Sequence, residues 1–192
     1  MSTSAEQLPR QLPGDLAMWL FILAELSVFA ILILAFAVTH HLKPQLFAAS
    51  RALLDASTGL AMTLSLLSAG ALAALAQVQV RQGQPRRAAL LLLAALLVAC
   101  VYVWLKLGEY RHLLGAGLGI ERNTFFTLYW ILTGFHFLHV LLGMLILAWL
   151  ALTAWHRGYG PGQCSGFESG VLYWHMVDLV WVLLFPLVYL LG

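Results

Sequence analysis

Five side chains able to move a proton or hold a metal interrupt long apolar runs of this sequence: Glu25, His136, His139, His175 and Asp178. An ionised aspartate at the centre of a membrane helix costs roughly 2.5–3.5 kcal/mol on insertion scales, so such a group finds a partner, loses its charge or serves a function. His175 and Asp178 are three residues apart, as are His136 and His139, and at that spacing each pair shares one helix face and can share a hydrogen-bond network. Two chemistries are open to them. Deep imidazoles can ligate haem or a metal, as in membrane cytochromes, which would make the chain an independent redox protein using haem b or a quinol. Alternatively, the carboxyls can accept from histidine, indole or hydroxyl donors and lock helices together. Glu25 has only Phe21, Ile22, Val28 and Phe29 in its neighbouring turns, with no polar partner close in sequence, and stands as the proton-handling candidate.

Other chemistries lack their residues. Ser165 and Ser169 sit in no G-x-S-x-G frame, and Cys100 and Cys164 form neither a CxxC motif nor a disulfide framework. The ten Lys and Arg are scattered, with a net charge of +2, which excludes the basic patch that nucleic acid requires.

The elements that position the five groups follow from composition. Of 192 residues, 62% are hydrophobic and 9% charged, against about 25% charged in a soluble domain. With about 20 apolar residues per crossing, the chain reads as an all-α integral membrane protein, a five-transmembrane-helix bundle forming a single membrane domain over 1–192. The spans fall at about 17–38, 58–80, 88–107, 125–155 and 170–191. Pro13-Gly14-Asp15 marks the first helix start. A stripe of mostly small residues (Thr58, Ala61, Ser65, Ser68, Ala69) suits close packing of the second helix, and Pro186 is expected to bend the fifth. At 1.5 Å per residue Glu25 and Asp178 each lie about 12 Å into parallel helices, and His136 about 16 Å into an antiparallel one, which places a polar layer inside the bundle.

Lys106, Glu109, Tyr110 and Arg111 end the third run and read as a surface cluster with Lys106 snorkelling. Trp174 and Trp181 read as rings at the interface or lipid headgroup level. Arg10, Arg81, Arg86, Arg87 and Arg157 fall on the N-terminal side, against Lys43, Arg51, Arg111 and Arg122 opposite. The dense cluster in the short loop after the second span favours a cytoplasmic N-terminus.

Three strings resemble the subunit III family of haem-copper oxidases, the third subunit of cytochrome c and quinol oxidases. Trp19-Leu20-Phe21-Ile22-Leu23-Ala24-Glu25-Leu26-Ser27-Val28-Phe29 is similar to the segment carrying that family's buried, carbodiimide-reactive glutamate. Glu109-Tyr110 followed by Thr133-Gly134-Phe135-His136-Phe137-Leu138-His139-Val140 resembles its E-Y and T-G-x-H-x-x-H-V patterns. Tyr173-Trp174-His175-Met176-Val177-Asp178-Leu179-Val180-Trp181 resembles Y-W-H-F-V-D-x-V-W, with Met176 replacing phenylalanine. Only the last five of the family's seven helices have counterparts here, and the Leu12-Pro13-Gly14-Asp15 lead is most similar to the short NorE type associated with bacterial nitric oxide reductase. The resemblance implies a subunit without metal or haem of its own. Such a subunit binds phospholipid, packs on a haem-containing catalytic subunit of an oxidase or nitric oxide reductase, and supports proton uptake. It also implies a bacterial inner (cytoplasmic) membrane, with the N-terminus cytoplasmic and the C-terminus periplasmic.

Overall fold

A computed structural model describes residues 16–156, 158 and 165–191. Among the described residues six helices follow one another: α1 (Leu16–Leu42), α2 (Pro44–Arg51), α3 (Ala56–Arg81), α4 (Pro85–Gly115), α5 (Thr124–His156) and α6 (Ser165–Phe185), the last continuing into a π-helical turn at Pro186–Leu190. No strand occurs among the described residues. All but α2 are long and apolar enough to cross a membrane, so the five expected spans are present in a multi-pass membrane protein. Each measures 26 to 33 residues when the π turn is counted with α6. That is about 39–50 Å of helix for a hydrocarbon layer of about 30 Å, so every helix reaches beyond the apolar core.

Local chemistry sets the boundaries. Asp55 caps α3: its Oδ1 accepts from the Ser57 amide (3.0 Å) and hydroxyl (2.6 Å), and its Oδ2 from the Thr58 hydroxyl (2.6 Å). Those donors hold the exposed Asp55 carboxyl down at about 2, the Ser57 hydroxyl contributing most. Gly83 and Gly117, at φ 71° each, end α3 and α4. The next amide in each case reaches back five residues, Gln84 N to Gln79 O and Leu118 N to Leu113 O, both 2.9 Å, in the left-handed C-cap that glycine permits.

Several expected boundaries move. The polar stretch after the first span contains α2, a two-turn helix opened by Pro44 that buries Phe47 and Ser50. Helix α4 runs eight residues past the expected end of its span, and α6 starts five residues earlier than expected. Pro186, expected to bend its helix, begins the π turn, which closes with Leu191 N donating to Pro186 O (2.7 Å). The wider turn accommodates the missing proline donor. The helix-start signal at Pro13-Gly14-Asp15 lies outside the described residues, as does most of the glycine-rich segment between α5 and α6.

Helices α3, α4, α5 and α6 form the body of the bundle, and α1 packs against α5 and α6. The α3–α4 hairpin closes through small buried residues, Ala69, Ala73 and Ala76 against Ala88, Ala95 and Ala99. Ser65 and Ala69 of the expected stripe are buried, but Ala61 and Ser68 face outward. Large apolar side chains cover the outside, among them Leu20, Ile31, Leu97, Leu145 and Trp149. An apolar surface around polar interior contacts is the arrangement lipid demands.

Candidate functional site

Lys106 is the first surprise: its side chain is 0% exposed. Lys106 lies nine residues, about 14 Å, from the end of α4, and its side chain turns into the bundle instead of snorkelling toward water. Its Nζ donates to Glu109 Oε2 (2.7 Å) and to the hydroxyls of Tyr129 (3.1 Å) and Tyr189 (3.2 Å), which accounts for all three ammonium protons. The Tyr129 and Tyr189 hydroxyls in turn donate to Glu109, at 2.7 Å and 2.8 Å. The rings of Tyr110, Tyr129, Trp181 and Tyr189 surround the cation, with centroids 4.8 to 5.8 Å from Nζ. Tyr110 shares a 3.0 Å hydrogen bond with Thr133, whose hydroxyl also donates to Tyr129 O. The π turn delivers Tyr189 to this cage.

The surface reading therefore holds for Arg111 alone, which is exposed. Glu109 is almost enclosed and Tyr110 half-buried. Trp174 and Trp181, expected at the headgroups, are 0% and 1% exposed. The early start of α6 puts Trp174 nine residues into its helix, away from the interface.

Glu25 has a partner after all, from a helix 114 residues on. His139 Nε2 lies 2.9 Å from Glu25 Oε2, while His139 Nδ1 lies 2.8 Å from Phe135 O. A carbonyl oxygen only accepts, so Nδ1 carries a proton. The Nε2···Oε2 contact then holds one shared proton, as imidazolium with carboxylate or as imidazole with carboxylic acid, and the dyad is net neutral in either state. Glu25 stays partly open, its side chain 21% exposed, while His139 is buried.

His136 and His139 do not share a network. His136 points into the core and is fully buried, with neither ring nitrogen hydrogen-bonded. It stacks on Trp181 (centroids 5.1 Å apart, planes at 28°) and meets the edge of Tyr102 at 6.1 Å. Trp181 Nε1 donates to Thr63 at 3.0 Å. His175 and Asp178 do pair, Nδ1 to Oδ2 at 3.3 Å. Gly70 of α3 admits them, since a Cβ there would fall on Asp178 Oδ2.

Sequence reasoning missed Tyr129, Tyr189, Thr63 and Gly70, and gave Thr133 no role beyond its place in a string. The detectable signal was Lys106 with Glu109 at i, i+3 at the end of an apolar run, a pairing that asks for burial as readily as for a surface.

A membrane bundle whose interior ionisable groups pair with one another, within α4 and α6 and between α1 and α5, defines the class. Residues 13–192 match the family described as cytochrome c oxidase subunit III, and the chain belongs to that family. It is 27% identical to the cytochrome bo(3) ubiquinol oxidase subunit 3 of Pseudomonas aeruginosa, over 91% of this chain and 83% of that protein. With the quinol oxidase subunit 3 of Bacillus subtilis the figures are 26%, 92% and 86%. It is also 30% identical, over 91% of its length, to the heme-copper oxidase subunit I+III of Aeropyrum pernix, of which it covers 22%. The protein is thus a subunit III of the haem-copper oxidase type, and membership implies a catalytic subunit as partner.

Proposed function

We propose that this chain is a non-catalytic subunit without a cofactor of its own, which packs on the haem-containing catalytic subunit, binds phospholipid and supports proton uptake. The observation that carries the reading is that Lys106, Glu109, Glu25, His139, His175 and Asp178 in its spans turn to one another. Lys106 is used up by Glu109 and two tyrosines, His139 by Glu25 and a carbonyl, and Asp178 by His175. Among the described residues no three His, Cys, Asp or Glu converge as a metal-binding group. The Aeropyrum pernix relative, named as subunit I+III, supports subunit I as the partner of this one. The single proton shared by Glu25 and His139 supports the proton-related part of the role.

The finer reading is the NorE type, with a nitric oxide reductase as the complex and denitrification as its setting. It rests on the Leu12-Pro13-Gly14-Asp15 lead and the Glu25-Leu26-Ser27-Val28-Phe29 string. Gene neighbourhood separates the two partners: a cytochrome c and nitric oxide reductase pair beside this gene supports it, and a copper-containing oxidase subunit contradicts it. The basic α3–α4 turn supports a cytoplasmic N-terminus and a periplasmic C-terminus in a bacterial inner membrane.

The competing reading, a redox protein binding haem b or a quinol, is favoured by one feature, the unpartnered nitrogens of His136. Against it, the Trp181 indole lies over that ring. Co-migration decides the functional reading. In mild detergent the chain should travel with a haem-containing subunit, and a chain that always travels alone contradicts the role.

A further inference from the structure

A half-exposed imidazole marks the outer face of α6. His175 and Asp178 straddle the midpoint of the 26-residue span Ser165–Leu190, about 15–20 Å from its start, and so sit near the bilayer centre. The His175 side chain is nevertheless 39% exposed, and its one hydrogen bond is the long Nδ1···Asp178 contact. Its neighbours on that face, Leu172, Leu179, Val182 and Leu183, are partly or fully exposed and apolar. Lipid tails offer an imidazole Nε2 nothing, and headgroups do not reach this depth. The outer faces of α4 and α5 differ: at their centres they present Leu97, Val101, Leu138, Leu142 and Leu145, which suit lipid.

Small residues adjoin the imidazole. On α3, beside the Gly70 that abuts Asp178 and His175, Ala71 and Ala74 are exposed and half-exposed. Small side chains of this kind let another helix approach, and polar side chains hydrogen-bond across such contacts.

We infer that the α6 face around His175, with the adjoining part of α3, is the docking surface for a transmembrane helix of the catalytic subunit, and that this helix brings a hydrogen-bonding side chain to His175 Nε2. The inference rests on the functional reading above and adds which face does the work. The apolar stripe supplies packing, and the imidazole sets register, because a slid or rotated partner helix leaves it unpaired in hydrocarbon.

The test uses the whole complex in its native membrane, with a photoreactive phenylalanine analogue placed in turn at Leu179, Leu97 and Leu145. We expect the Leu179 probe to cross-link to the haem-containing subunit and the other two to give lipid adducts. Cross-linking to that subunit from Leu97 or Leu145 but not from Leu179 overturns the face while leaving the functional reading intact. Adducts from Leu179 to a second copy of this chain, to a quinone or to lipid alone overturn it as well. Failure of the unmodified chain to co-purify with any haem protein sinks the functional reading itself. As a second measurement, His175→Phe should reduce co-purification about 3- to 10-fold, with His175→Gln recovering much of it. Equal recovery of both variants with the native chain contradicts the hydrogen bond.

Discussion

Two regions of the bundle hold charge in opposite ways. Around Lys106 the ion pair is sealed: two tyrosine hydroxyls bridge its members, four aromatic rings surround the ammonium, and Glu109 is all but enclosed. The Glu25–His139 and His175–Asp178 dyads are open, each with one contact between its members and each with a member more than a fifth exposed. Every donor of the sealed site is satisfied by this chain, so it can hold α4, α5 and α6 together before any partner arrives. The open dyads lie near mid-depth of their helices, with Glu25 and His175 still partly exposed.

The sealed site should break hardest. Glu109→Ala leaves Lys106 an uncompensated buried cation, and we expect about 3–5 kcal/mol of lost stability, read as a large drop in detergent melting temperature. The paired change Lys106→Met with Glu109→Gln should recover a substantial part of that loss. A double variant as unstable as the sum of its single changes would show that no coupling exists. Tyr189→Phe removes a hydroxyl bonded to a charged group and should cost about 1.5–3 kcal/mol in the same assay. A neutral outcome would detach the π turn from the cage.

Next comes the α3–α6 contact. Gly70→Ala drives a methyl onto Asp178 and should cost about 1–3 kcal/mol. Glu25→Gln should cost less, because an amide can still donate to His139 Nε2 and because α1 packs on the body of the bundle through few buried residues. If Glu25→Gln proved more damaging than Glu109→Ala, the contrast between sealed and open sites would fail.

The smallest effect belongs to the Asp55 cap. Its carboxyl is held at about 2, below the ordinary 3.8, so the folded chain favours the ionised form. Its contribution is present above pH 4 and is lost as pH falls toward 2. Asp55→Asn should therefore melt slightly below the native protein at neutral pH, and the gap should close across that interval. A gap that widened on acidification would reverse the sign.

Much of this was legible in the sequence, though unevenly. Five long apolar runs declare five helices because an unbroken run of that length satisfies its backbone in lipid as a helix, whereas a barrel strand is shorter and alternates in polarity. The i, i+3 spacing of His175 and Asp178 identified a pair confined to a single helix. Partners brought together by tertiary packing were invisible: His139 reaches Glu25 across 114 residues, and Tyr189 reaches Glu109 across 80. Burial was misjudged where helix ends were. The apolar run stops near Lys106, yet the hydrogen-bonded helix does not, because polar residues propagate a helix readily once it is nucleated. The same error at the start of α6 put Trp174 at the headgroups. α2 was hidden because two turns with only Phe47 and Ser50 buried carry no long periodic pattern.

The account depends most on the interior charges of this chain answering one another rather than a prosthetic group. Optical spectroscopy with metal analysis of the purified chain tests that directly. We expect no Soret band and no stoichiometric iron or copper. A haem spectrum that disappears on replacing His136 or His139 would contradict it.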